Sequence, residues 1–336
     1  MIGLAIESSC DETSAAVIKD GVISLSNVIS TQIDIHKEYG GVVPEIASRY
    51  HTKNIAFVVE EAINKANIKF QDLEYIAVTY GPGLVGALLV GVSYAKGLAY
   101  SLNIPIIKTN HIEGHIASVY LSNKDIKPPF LALVVSGGHS HIIHVKKYNE
   151  FEVIAKTRDD AVGEAFDKVA RVVGLGYPGG PKVSEMAKQG KNVYDLPTTK
   201  FKDSYDFSFS GIKTKVMNMV NKGDIDIPNM CKSFEENVTD VLINNLISVA
   251  KEKNIKDVTI CGGVSANTCL REKLKQRCIK NNLNSYIPKF EYCTDNAAMI
   301  GSSAYFKYIS TEDKKIFDIC NNLQLNAKAN IKVGDE

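Results

Sequence analysis

No charge of one sign dominates this chain of 336 residues: 39 lysines and arginines stand against 38 acidic residues, a formal net charge of +1. Attraction of the whole surface to nucleic acid is excluded, so any such contact has to come from a local basic patch. Paired cysteine motifs are also missing. The seven cysteines (Cys10, Cys231, Cys261, Cys269, Cys278, Cys293 and Cys320) are odd in number, scattered, and form no CxxC. That argues against a structural zinc cluster and fits free thiols in a reducing compartment. No long apolar run goes unbroken either. The most apolar stretch, residues 84–102, is interrupted by Gly86, Gly91, Ser93, Lys96 and Gly97, which predicts a packed core helix and not a membrane span. Residues 1–7 already read as a strand, so no signal or transit segment is expected and the chain is expected in the cytoplasm.

What is present suffices for two domains, with 45% apolar and 23% charged residues. Two stretches look alike. Residues 3–6 form an apolar strand that runs into the polar turn 7–14 and returns through Ala15-Ala16-Val17-Ile18; residues 131–135 do the same through Ser136-Gly137-Gly138-His139-Ser140. A strand–turn–strand at the head of each half predicts a duplicated, two-lobed α/β fold with a cleft between the turns. Pro44 is placed to open a helix through about Ala66, and residues 75–79 and 257–261 read as strands. Helices are expected over 84–102, 266–280 and 296–308, a mobile loop over 191–206, and a polar tail after Thr311.

His111 and His115 are the most informative pair. Four residues apart on one helix, their imidazoles share a face and are near enough to share a metal ion. The pair also arises on a plain polar face, and Asn110 with Glu113 would cap that helix in any case. Two imidazoles need a third ligand. Asp295 is the best candidate, although an aspartate ahead of a helix is usually its N-cap. Two histidines and one carboxylate with open positions suit Fe(II) or Zn(II).

Glycine turns supply the second theme. Backbone amides over Val134, Val135, Ser136, Gly137 and Gly138 could meet a phosphate, or the turn is an ordinary hairpin. Gly262-Gly263 joins a strand to a helix, a geometry suited to a nucleotide, with Ser265 available as a plain cap. Asp11, Glu12 and Asp167 lie in or near such turns, a common way to hold Mg²⁺ or a ribose hydroxyl. Arg271, Lys273, Lys275, Arg277 and Lys280 make one helix basic, either as a solvated face or as a dock for phosphate backbone.

Taken in order, ten segments resemble the bacterial tRNA N6-adenosine threonylcarbamoyltransferase family over nearly the whole chain: residues 6–13, 40–45, 81–86, 111–115, 135–139, 163–168, 177–181, 206–211, 262–267 and 293–296. Ser8-Ser9, where Thr-Ser is common in relatives, is a mild departure. The resemblance implies the fold of actin, hexokinase and Hsp70, with a first lobe of 1–109 plus 296–325, a second of 110–295 carrying the metal and nucleotide loops, and a tail of 326–336. It implies transfer of threonylcarbamoyl from threonylcarbamoyl-AMP to N6 of the adenosine 3′ of the anticodon, with a metal on His111, His115 and Asp295, iron more than zinc. It further implies Asp167, Gly180, Ser184 and Asn267 around the adenylate, and makes Asp11, Glu12 and Lys168 candidates for positioning or proton transfer. The expected partners are tRNA, an inactive paralogue pairing through helices 44–66 and 84–102, and a small ATPase, with no membrane. An ATPase or phosphotransferase of the same fold, a metallopeptidase and a non-catalytic scaffold stay open. The peptidase suffers from having no glutamate at the HExxH spacing.

Overall fold

Strand alternation organises the first half of the chain. In the computed structural model, which describes residues 1–223 and 225–335, β1 (Ile2–Glu7) sends Leu4 and Ile6 to one side of a sheet and Ala5 to the other. The chain turns back as β2 (Glu12–Lys19), antiparallel with Gly3 opposite Ile18, and continues the meander as β3 (Ile23–Thr31). After α1 (Ile33–Lys37) and α2 (Pro44–Lys65), β4 (Tyr75–Gly81) joins β1 in parallel. Next come α3 (Val85–Leu102), β5 (Ile106–Asn110) beside β4, and α4 (His111–Ser122). The strand order is β3-β2-β1-β4-β5.

Pro44 does open α2, where a missing N–H costs nothing. Ile55, Val58 and Val59 of α2 and Val92, Ala95 and Ala99 of α3 bury the Leu4/Ile6 face together with Ile76 and Val78. By length and hydropathy α3 is long and apolar enough to cross a membrane. Its Ala87, Leu88, Gly91, Val92, Ala95 and Ala99 are buried in the fold, as expected of a core helix, while Val85, Leu89 and Tyr100 are exposed.

The second sheet repeats the first. β6 (Phe130–Val135) and β7 (Ser140–Lys147) form the antiparallel hairpin, followed by β8 (Glu150–Lys156). Four helices intervene: α5 (Val162–Val172), α6 (Gly179–Ala187), α7 (Ser210–Asn221) and α8 (Ile227–Glu252). β9 (Asp257–Cys261) then pairs with β6 in parallel, and α9 (Thr268–Lys280) leads to β10 (Asn284–Tyr286) beside β9. The order β8-β7-β6-β9-β10 is that of the first sheet, strand for strand. Leu131, Leu133 and Ile142 share a core with Phe166 of α5, Phe234 and Leu242 of α8, and Leu270 and Leu274 of α9.

α10 (Ala297–Ser310) covers the Ala5 side of the first sheet. Small residues permit this: a Cβ at Gly301 would lie 2.6 Å from Ile18 Cγ1 and 3.1 Å from Ala5 Cβ. The chain divides into two compact units. Unit 1 takes Met1–Ile126, Lys147–Glu150 and everything from Pro288 on; unit 2 takes Lys127–Lys146 and Phe151–Ile287. The helix of His111 and the loop of Asp295 thus fall in unit 1, not in the half that the resemblance implied. The reason is that α4 packs on α10, where Ser302 Oγ donates to Ala117 O at 3.3 Å and Gly114 leaves room for Ile300.

The end of the chain is less of a tail than its polarity suggests. Phe317, Ile319 and Ile331 are buried, Lys328 N donates to Tyr80 O at 2.7 Å, and Gly334 N donates to Glu113 Oε1 at 3.1 Å.

Candidate active site

α4 starts directly from β5. Asn110 Oδ1 accepts from Ile112 N at 2.8 Å, capping the helix, while its Nδ2 donates to Lys332 O at 3.0 Å. His111 and His115 follow one turn apart, ring centroids 4.6 Å apart and 78° between planes. Asp295 Oδ1 lies 3.6 Å from His111 Nε2 and 3.1 Å from His115 Nε2. Both distances are under twice a metal–ligand bond of about 2.1 Å, so one ion can reach all three residues. Asn296, and not Asp295, caps α10, its Oδ1 accepting from Met299 N at 3.1 Å.

His115 is fully buried, and neither ring nitrogen makes a hydrogen bond. Its Nε2 lies 3.1 Å from Asp295 Oδ1 without forming a hydrogen bond to it. A buried imidazole left unpaired costs about 1–3 kcal/mol unless something else engages it. A cation at Nε2 does that, and the donor set fits a divalent metal. Burial works against charge on His111, but the carboxylates of Asp295 and Glu7 outweigh it and raise its pKa to about 9 in the metal-free chain. Burial pushes Glu7 up as well, yet the charge and hydrogen bond of His111, with a smaller contribution from Ser9, hold that carboxyl below its usual value.

Between β1 and β2, the turn carries Asp11 and Glu12. Asp11 O accepts from Gln32 N at 3.0 Å, and Glu12 Oε1 accepts from Thr31 Oγ1 at 3.3 Å. Burial, then the charges of Asp295 and Asp11, push Glu12 up to about 10, so it keeps its proton at neutral pH. His51 of α2 clamps this turn, with Nε2 2.9 Å from Cys10 O and Nδ1 2.7 Å from Thr13 Oγ1. Sequence reasoning missed both His51 and Glu7. Neither belongs to a spaced motif.

Unit 2 assembles the glycine loops. Ser136 N donates to His139 O at 2.9 Å, and Val134 is paired with His141 on one side and Cys261 on the other. Beside Gly137 and Gly138, within the expected five-residue cradle, there is open space. Gly262 has φ +89°, and a Cβ there would sit 2.5 Å from Val135 O, so only glycine brings this loop so close to the end of β6. Asp167 Oδ1 accepts from Gly179 N at 2.6 Å, and Gly180 beside it faces open space. Burial raises the Asp167 pKa in spite of the Gly179 amide and Arg171.

Asn267 gathers more than expected. It caps α9 by accepting from Leu270 N at 2.8 Å, and its Nδ2 donates to Ser184 Oγ at 2.9 Å and Glu235 Oε1 at 2.7 Å. Glu235, on a helix that the sequence did not announce, is a further member of this cluster. Lys168 is held by Asp160 at 2.6 Å and Glu164 at 2.7 Å, and these partners raise its pKa against some desolvation. It is a cation and not a proton acceptor at neutral pH. The basic helix is also largely committed. Lys273 pairs with Glu236 at 2.6 Å and Asp240 at 3.0 Å, Arg277 with Asp240 at 3.6 Å, and Arg271 Nε donates to Ser265 O at 2.7 Å.

Comparison with known proteins places these features in a family. The family model described as tRNA N6-adenosine threonylcarbamoyltransferase (TsaD) matches residues 24–302. A protein of that name from Clostridium kluyveri is 52% identical over 340 residues, covering 99% of this chain and 98% of the relative. One from Clostridium botulinum (strain Kyoto / Type A2) is 52% identical over 339 residues with the same coverage. Among solved structures, full-length HypF in its phosphate- and nucleotide-bound form aligns with a TM-score of 0.64 at 16% identity, over 93% of this chain and 47% of that one. Component A of the Acidaminococcus fermentans (R)-2-hydroxyglutaryl-CoA dehydratase gives 0.55 at 15% identity, over 92% and 99%. These distant structures bear on the fold alone and support the α/β architecture of the actin and hexokinase type. The two repeated sheets, the buried pair of histidines facing a carboxylate and the match along almost the full length lead to one conclusion: the chain belongs to the tRNA N6-adenosine threonylcarbamoyltransferase family and is a transferase that modifies tRNA.

Proposed function

We propose that the chain moves the threonylcarbamoyl group of threonylcarbamoyl-AMP onto N6 of the adenosine 3′-adjacent to the anticodon, in tRNAs reading codons that begin with A. The N6 lone pair forms a bond to the carbamoyl carbon, the bond from that carbon to the AMP phosphate oxygen breaks, N6 gives up a proton, and AMP leaves. The observation that carries this reading is His115, buried with neither ring nitrogen hydrogen-bonded and turned toward Asp295. It supports a divalent metal on His111, His115 and Asp295, with Fe(II) preferred over Zn(II) because two histidines and a carboxylate with open positions are the usual non-haem iron set. When bound, that ion supplies Lewis acidity toward an activated carbonyl.

The remaining work belongs to the chain itself. The amides of Gly137 and Gly138 bind phosphate or the developing oxyanion, a role worth a few kcal/mol of barrier in comparable sites. Asp167, Gly180, Ser184 and Asn267 hold the ribose and base. Glu12, protonated, donates a hydrogen bond, and Asp11 is the acid of that turn left to take the N6 proton. Lys168 positions and does not transfer a proton. Mg²⁺ arriving with a nucleotide would find a carboxylate at Asp167.

The chain works in the cytoplasm with an inactive paralogue seated on the exposed sides of α2 and α3, and with a small ATPase. The test combines the chain, these partners, tRNA and threonylcarbamoyl-AMP, and looks for the modified nucleoside by mass spectrometry. Wild type is expected to yield it and His115→Ala to yield none. Steady ATP hydrolysis with no modified nucleoside would favour an ATPase of the same fold instead.

A further inference from the structure

Glu7 closes β1, in the middle of the first sheet, where a carboxylate has no access to water: the residue is 0% exposed. Burying an ionised carboxylate is costly unless its oxygens are paired. Here they are paired by three donors. Ser9 N donates to Oε1 at 2.5 Å, Thr79 Oγ1 of the neighbouring strand donates to Oε2 at 2.7 Å, and His111 Nδ1 lies 3.0 Å from Oε2. An ionised carboxylate only accepts, so the hydrogen on this side of His111 must sit on Nδ1. The other nitrogen, Nε2, faces Asp295 Oδ1 at 3.6 Å. His115 has no such fixing partner on either nitrogen.

We propose that Glu7 is a positioning residue for the metal centre: through Thr79 and the Ser9 amide it is locked in place, and through Nδ1 it holds His111 in the one tautomer and ring orientation that present Nε2 as a ligand. The inference rests on the metal reading given above. Partners of this kind typically change metal affinity by 10–100-fold. Ser9 Oγ also lies 3.1 Å from His111 Nδ1, but a hydroxyl can donate or accept and so does not choose the tautomer, whereas the carboxylate only accepts. A glutamine at this position keeps one acceptor for the Ser9 amide and turns an N–H toward Thr79 and His111, so the Thr79 hydroxyl must rotate to accept and Nδ1 is no longer required to carry the hydrogen.

The test uses the full chain, titrated calorimetrically with Zn²⁺ and anaerobically with Fe²⁺, and the ¹⁵N spectrum of its histidines in the metal-free state at a pH above the value of about 9 at which His111 loses its proton. Glu7→Gln is expected to weaken Zn²⁺ binding by about 10–100-fold and to move the His111 nitrogens from a fixed Nδ1–H form to a mixture of tautomers. Thr79→Val removes a donor to Glu7 but leaves the His111 contact. It should lower the melting temperature while leaving the His111 spectrum as in wild type and Zn²⁺ affinity within a few-fold. If Glu7→Gln and Thr79→Val lower the melting temperature alike and neither changes the His111 spectrum, Glu7 is a structural group only and the proposal is overturned. If wild type binds neither ion, the metal reading fails; the tautomer comparison still decides whether Glu7 fixes His111.

Discussion

A histidine that is to bind a cation must first give up a proton, and His111 holds its own tightly. Asp295 and Glu7 raise its pKa to about 9 in the metal-free chain, so at neutral pH metal has to displace a proton from Nε2. Below that pKa the apparent affinity should therefore climb about tenfold per pH unit, then level off near pH 9. Zn²⁺ titrations at pH 7, 8 and 9 in a non-coordinating buffer would check it, and a flat profile would mean that His111 is already neutral or is not a ligand. The two histidines of the candidate site stood out in the sequence because a spacing of four residues carries geometry with it. Glu7 did not. A single acid at the end of an apolar strand has no periodicity, and only the folded sheet brings Thr79 and His111 to it. The amide of Ser136 is used within its own turn, which a Ser-Gly-Gly sequence does not reveal.

Elements followed their local signals closely where those signals were strong. Pro44 opened α2, the strands at 75 and 257 began where apolar runs began, and 191–206 contains no helix or strand. The long helix α8 went unread because it begins inside a polar stretch and its buried residues span much of its circumference, which blurs any single stripe. α7 shows a cap that no local reading could find. No side chain of its own caps it; instead Asp159, some fifty residues earlier, accepts from Phe209 N at 2.8 Å and from the hydroxyls of Ser208 and Ser210 at 2.5 and 2.8 Å. Burial opposes, but these bonds together hold Asp159 below the usual carboxylate range. A depressed folded pKa means stability that is present above the unfolded value and lost as pH falls through the folded one. Asp159→Ala should accordingly cost about 1 kcal/mol at pH 7, as capping losses do. The gap to wild type should narrow in melts taken below pH 3. A gap that persists in acid would mean that the loop is held by something other than the carboxylate.

At the scale of the molecule, duplication was the most legible feature, since two apolar strands with polar turns stand at the head of two sheets with one strand order. The boundary between units was not, because what draws α4 to α10 is a pair of small residues, Gly114 and Ala117, whose neighbours lie about 185 residues away in sequence. The same logic of small residues sorts α3. A Cβ on Gly86 would meet Ser48 Oγ of α2 at 2.4 Å, and one on Gly91 would meet Ser8 Oγ at 2.3 Å, so these glycines serve packing within the chain; Gly97 faces open space. Among the side chains that α2 and α3 leave outward are several apolar ones: Phe57 is 73% exposed, Tyr100 62% and Val85 48%. Covering a side chain such as Phe57 is worth about 1.5–3 kcal/mol, or roughly 10- to 150-fold in affinity for whatever covers it. Phe57→Asp should thus weaken pairing with the proposed paralogue by at least that factor in sedimentation or calorimetry. The melting temperature of the isolated chain should stay within about a degree of wild type, because a solvent-facing substitution removes no core contact. Unchanged pairing would place the partner on another surface. A large drop in melting temperature would mean that Phe57 already serves this chain's own fold.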